Sequence, residues 1–173
     1  MRKLYLNVGC GRDIRKSTKS IKWVNIDYKK HPGVDLVIDL DNDKLSNYFK
    51  PGTLDLIYCS HVIEHLVNAY AFIEDCKTIL TKGGKIQAFM PTTKRCLVGH
   101  KNQGFGLDYF YEFGKTFSNI DLQKQDAFIV RSRYNMIMTN SNIRYWVVNR
   151  FKNFRDWICR QGCDEVEHVL IKK

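Results

Sequence analysis

The sequence predicts an α/β protein built on a parallel sheet. Short apolar runs alternate with stretches of helical spacing. The first run opens directly into Gly9-Cys10-Gly11, and the next two runs each end near an acid, Asp27 and Asp39. Strands that alternate with helices are joined by right-handed crossovers and so lie parallel. Ligands bind such sheets at their carboxyl edge. Glycines at that edge let the backbone approach a ligand with no Cβ in the way.

Each element follows from its own pattern. Leu4, Leu6 and Val8 alternate into the glycine turn, giving strand one. Residues 12–20 are polar and basic and read as a short helix or loop. Trp23 to Asp27 is strand two, and His31-Pro32-Gly33 is a turn. Val34 to Leu40 is strand three. Asp43 to Phe49 is a short helix stopped by Pro51-Gly52, and Leu54 to Ser60 is strand four. Val62 to Leu80 keeps helical spacing through Ile63, Leu66, Val67, Tyr70, Ile73, Cys76 and Leu80. Lys82-Gly83-Gly84 ends that helix, and Lys85 to Met90 is strand five, closed by Pro91.

After Pro91 the pattern loosens. Gly99, Gly104 and Gly106 mark a loop over residues 92–107, followed by an aromatic stretch from Asp108 to Phe117. Ala127 to Val130 is strand six and Glu165 to Ile171 a final strand. Between them Asn142 to Ile158 is an amphipathic helix, with Trp146, Phe151 and Trp157 on one face and Arg144, Arg150 and Arg155 on the other. No repeat or linker divides the chain, so residues 1–173 are expected to form one domain.

Composition narrows the class. At 44% hydrophobic and 27% charged residues the chain is globular rather than disordered. No apolar run approaches the roughly 20 residues that span a bilayer. The first strand begins at once, so no signal peptide is expected. The six cysteines form no Cys-x-x-Cys pair, which suits reduced thiols in a cytoplasm-like compartment. The net charge is +10, with 14 basic against 10 acidic residues over 1–91 and 14 against 8 over 92–173. Such a surface suits an anionic small molecule, nucleic acid or a membrane face.

Glycines after strand one, an acid ending strand two and an acid ending strand three form an ordered set. An acid at the second position can accept both hydroxyls of a ribose. With Asn7 to Gly11, Asn25 to Asp27, Asp39-Leu40, His61 to Leu66 and Leu80 to Lys85 all in order, the chain resembles the class I S-adenosylmethionine (SAM)-dependent methyltransferases of the type 11 group. The resemblance covers residues 4 to about 93. It implies a Rossmann-like, three-layer αβα fold with a mostly parallel seven-stranded sheet, order 3-2-1-4-5-7-6, the last strand antiparallel. Residues 1–91 would be the cofactor-binding half and 92–173 the acceptor side.

The resemblance also implies roles. Gly9, Cys10 and Gly11 would line the methionine half and ribose of SAM, and Asn7 would hydrogen-bond the amino group. Asp27 would hold the ribose hydroxyls with Tyr28 beside the adenine. Asp39 would accept the adenine amino group, with Leu40 near the ring. Ser60 and His61 would face the methyl end. His61 or His65 would serve as base for a hydroxyl acceptor. His61, Glu64 and His65 also have metal-ligand spacing, with His100 as a possible fourth ligand, but packing rather than metal is expected there. Asp/Asn-Pro-Pro-Tyr and Pro-Cys are both absent, which disfavours methylation of base amines or of cytosine C5. The expected activity is methyl transfer to an oxygen or nitrogen of a small-molecule or glycan-like acceptor. The alternatives are an RNA methyltransferase using the basic C-terminal region, or a non-catalytic SAM-binding scaffold. The sequence leaves the oligomeric state open.

Overall fold

The structure, a computed structural model, describes residues 2–91, 122–132 and 163–172. Among the described residues seven strands form one sheet: β1 (Lys3–Val8), β2 (Ile21–Asp27), β3 (Leu36–Val37), β4 (Leu54–Ser60), β5 (Leu80–Pro91), β6 (Leu122–Ser132) and β7 (Cys163–Lys172). Their order is β3-β2-β1-β4-β5-β7-β6. Neighbours from β3 to β5 pair parallel, and β7 runs antiparallel to both β5 and β6. This is the expected order and direction.

Alternation along the strands divides their side chains between two faces. On one face Leu6 and Val8 stand level with Ile57 and Cys59 of β4, and these with Ile86 and Ala88 of β5. Ile86 in turn stands beside Leu170 of β7. All are buried, and Phe72, Ile73, Cys76 and Ile79 of α1 (Ala69–Ile79) join them in one core. Each fully buried aliphatic side chain contributes about 1.5–3 kcal/mol.

The opposite face is aromatic and polar. Tyr5 meets Trp23 edge-on at 5.1 Å, and Tyr58 lies 5.4 Å from Phe89. The polar 12–20 segment crosses this face as a loop, the second of the two forms expected for it. Its Arg15 guanidinium stacks 4.3 Å above Tyr58 and 5.7 Å from Trp23. Asn7 and Asn25 pin the segment beneath. Asn7 donates to the Asp13 carbonyl and to Asn25 Oδ1, and Asn25 exchanges bonds with the Arg15 backbone.

Several boundaries differ from the sequence reading. The expected helix over 62–80 is split. A 3-10 turn spans Ile63–His65, Leu66 is extended, and α1 starts only at Ala69. Two local bonds account for the break: Val67 N donates to Asp41 Oδ1, and Asn68 caps α1 by accepting from Ala71 N. Val67 is consequently 67% exposed and Tyr70 37%, off the core face assigned to them. Gly83 and Gly84 do not end a helix either; they lie in a bulge of β5 between the Leu80–Leu54 and Lys85–Leu56 pairs. Strand three shrinks from seven residues to Leu36–Val37, a short edge. The 43–49 helix becomes a 3-10 turn at Leu45–Asn47. Strands six and seven are longer than expected. The glycine-bearing loop 92–107, the aromatic stretch 108–117, His100 and the 142–158 helix lie outside the described residues. Among the described residues no helix is long and apolar enough to cross a membrane.

Candidate active site at the carboxyl edge

The parallel strands β1, β2, β3 and β4 end at one edge, and a cleft of about 570 Å3 opens there. One wall is built from the ends of β2 and β3: Ile26, Asp27 and Tyr28, then Ile38, Asp39, Leu40 and Asp41. The other comes from the chain leaving β4: His61, Val62, His65 and Leu66. Gly9 lies at the base.

Gly9 and Gly11 both hold positive φ, at 61° and 48°, a region that costs other residues strain. At Gly9 there is a second reason. A Cβ there would fall 2.4 Å from Val62 Cγ2, so glycine lets the two walls meet. The turn is closed by Cys10 N to the Ile26 carbonyl at 3.0 Å and Asp13 N to the Cys10 carbonyl at 2.7 Å. Burial and then the Asp27 charge push the Cys10 thiol up to about 11. It is therefore no thiolate nucleophile at neutral pH.

Asp27 is buried and organises its wall. Oδ2 accepts from Gly11 N at 2.8 Å and Oδ1 from Lys29 N at 3.0 Å. His31 Nε2 stands 3.9 Å from Oδ1. Asp39 is exposed and turns its own loop, accepting from Asp41 N and from Asn42 Nδ2. Asp41 ties this loop to the opposite wall through Val67 N. Three carboxylates thus line one side of the cleft on a chain of net charge +10. Such a wall suits a ligand bringing hydroxyl and amino donors and positive charge.

On the facing wall His61 takes φ 54°, the one left-handed non-glycine among the described residues. Its backbone N donates to the Phe89 carbonyl at 2.9 Å, fastening the end of β4 to β5. Its ring Nδ1 lies 3.1 Å from Glu64 Oε1. The His61 side chain is half exposed, whereas Glu64 has no exposed surface.

Of the residues singled out in the sequence, the structure brings Gly9, Asp27, Tyr28, Asp39, Leu40, His61 and His65 to the cleft. Cys10 and Gly11 shape the turn behind it, and Ser60 ends β4 just before His61. Asn7 is buried in the bonds to Asp13 and Asn25 and does not line the cleft. The sequence reading missed Ile26, Ile38, Asp41, Val62 and Leu66. Ile26 and Ile38 were legible as apolar neighbours of the two acids; Asp41 carried no signal beyond its closeness to Asp39. Among the described residues, no three His, Cys, Asp or Glu side chains gather as a metal site.

Comparison with known proteins agrees with this fold. The family model described as a methyltransferase domain matches residues 12–88. No curated protein matches the chain in sequence. Among solved structures the fold resembles a SAM-dependent methyltransferase from Archaeoglobus fulgidus, with TM-score 0.63 and 15% identity over 99% of this chain and 86% of that one. It resembles Haemonchus contortus phosphoethanolamine N-methyltransferase 2, solved with S-adenosyl-L-methionine, with TM-score 0.62 and 14% identity over 99% of this chain and 49% of that one. It also resembles the [4+2]-cyclase SpnF, with TM-score 0.64 and 14% identity over 99% and 74%. The fold is that of the Rossmann-like, class I methyltransferases.

Proposed function

We propose that this chain, with its class I methyltransferase fold, is a SAM-dependent methyltransferase acting on an oxygen or nitrogen of a small-molecule or glycan-like acceptor. One observation carries the reading. Gly9, Asp27, Asp39 and His61, taken from four successive strand ends, meet around one cleft. The donor set fits the cofactor. Each Asp27 oxygen accepts one backbone N–H, and each keeps a second lone pair for a ribose hydroxyl. Tyr28 and Leu40 supply flat and apolar surface for an adenine, and Asp39 an acceptor for its amino group. When bound, SAM supplies a methyl group already activated on a sulfonium, so the protein's task is positioning and exclusion of water. His61 or His65 would take the proton from a hydroxyl acceptor.

The acceptor side is assigned to residues 92–173. Pro91, Glu165 and Arg131 stand level in the sheet. The ends of β5 and β6 and the start of β7 therefore lie at the same edge as the cleft. Fold alone does not specify methyl transfer, since one similar structure is named a cyclase. Calorimetry with SAM and its demethylated product, followed by radiolabelled methyl transfer to acceptor pools, tests the reading. Absence of binding to either ligand at millimolar concentration would overturn it. Binding without turnover on any pool would favour the scaffold alternative, and steeply salt-dependent transfer to RNA the nucleic-acid one. Charge reversal at Arg150 and Arg155 is expected to raise the acceptor Michaelis constant and leave SAM affinity unchanged.

A further inference from the structure

Glu64 is a carboxyl group with no exposed surface. Among the described residues its Oε2 has no hydrogen-bond partner, and its ion-pair partner is the His61 ring at 3.1 Å. A buried carboxyl so sparsely satisfied is costly and calls for a reason. His61, for its part, holds a left-handed backbone that a non-glycine residue adopts only under constraint. Two unfavourable features therefore converge on one contact at the cleft wall. We propose that Glu64 is the positioning residue of a carboxylate–imidazole pair: it receives the Nδ1 proton of His61, fixes that tautomer, and leaves Nε2 as the ring's proton acceptor.

The physical argument is short. A carboxylate accepts hydrogen bonds and does not donate them, so Nδ1 opposite it carries the proton. The neutral ring then has its lone pair on Nε2. A negative charge beside the ring also favours its protonated form and makes it a stronger base. Among the described residues, other titratable groups lining the cleft beside the pair are His65 on the same wall and Asp27, Asp39 and Asp41 on the other. Behind it on β4 is Cys59, whose thiol is pushed up by burial and then by the Glu64 charge. The role in turnover rests on the methyl-transfer reading; the pairing does not. In turnover the acceptor heteroatom uses a lone pair to bond the methyl carbon, and the carbon–sulfur pair stays on sulfur as a neutral thioether. The acceptor's proton passes to His61 Nε2, while Nδ1 keeps its own proton against Glu64.

The pair is tested on the 15N-labelled protein, with neither cofactor nor acceptor present. Two-bond 1H–15N spectra of His61, assigned with His61→Asn, report tautomer and titration together. The expected result is the Nδ1-protonated tautomer at neutral pH, and a His61 pKa lower by about one unit or more in Glu64→Gln. In turnover the acidic limb of the kcat profile should move to lower pH in Glu64→Gln, with a lower plateau and unchanged SAM affinity. Glu64→Asp, which retains the charge, should restore part of the titration shift. An Nε2-protonated ring in the unaltered protein overturns the proposal, whether or not Glu64→Gln folds. An unchanged His61 pKa in a folded Glu64→Gln does the same. A protein with the expected spectra and no methyl transfer keeps the pair and loses the function proposed above.

Discussion

Asp27 reaches from the end of β2 to the backbone N–H of Gly11 in the turn after β1, at 2.8 Å. The same carboxylate therefore holds the glycine turn in shape and faces the cleft. A residue with both duties shows its loss twice. Asp27→Ala is expected to weaken SAM binding about 10- to 100-fold, the loss of charge-assisted hydrogen bonds worth about 1.5–3 kcal/mol. It should also lower Tm without ligand. Calorimetry and thermal melts measure the two effects separately, and unchanged affinity in a folded variant would remove Asp27 from the cofactor site.

Gly9 and Gly11 make opposite predictions about space. Gly9→Ala places a methyl against Val62 Cγ2 and adds left-handed strain, for an expected loss of about 1–3 kcal/mol. In Gly11→Ala nothing among the described residues lies within 4 Å of the new Cβ, so backbone strain remains, about 1 kcal/mol. Adding Val62→Ala to Gly9→Ala should recover part of the loss, which denaturant unfolding of the double-variant cycle would measure.

The buried thiols give the alkaline limb of stability. Cys10 is raised from 9.0 to about 11, chiefly by burial, and Cys59 and Cys76 are raised in the same direction by burial. The folded state keeps these protons after the unfolded chain has released them. Stability is then fully present below pH 9 and falls as pH rises from about 9 towards 11. Each thiol contributes at most about 1.4 kcal/mol per pH unit. Cys10→Ala should flatten that decline in denaturant titrations between these pH values.

Chelator makes a separate test of the His61 wall. His61 Nδ1 is engaged with Glu64 rather than aligned with His65 on one helical face. Methyl transfer is expected to run at full rate in chelator without added divalent ion. Lost turnover restored by one metal would reassign His61, Glu64 and His65 as ligands.

The parallel sheet and the carboxyl-edge constellation were legible because each rests on short-range signals: alternation, Gly9-Cys10-Gly11, and acids at strand ends; the strand order came only with the family resemblance those motifs carry. β4 falls on the residues expected, Leu54–Ser60. The single helix over 62–80 was not recoverable from periodicity, because Val67 keeps the spacing while its backbone does other work. What breaks the helix is a bond from Val67 to Asp41, 26 residues earlier, and the Asn68 cap that follows it. The structural partners of Asn7 were hidden from the sequence for a similar reason. Its motif position matches a ligand contact, but its amide is used by Asp13 and Asn25, partners that only the folded sheet puts beside it.

Among the described residues β7 follows β6 in the chain, yet it lies between β5 and β6. During synthesis the whole core of residues 3–91 can leave the ribosome with the outer edge of β5 still unpaired. An open edge of that length is a template for pairing with a neighbouring chain. Closure of the sheet therefore waits on Cys163–Lys172, and a nascent chain interrupted before it carries two unsatisfied edges instead of one interior.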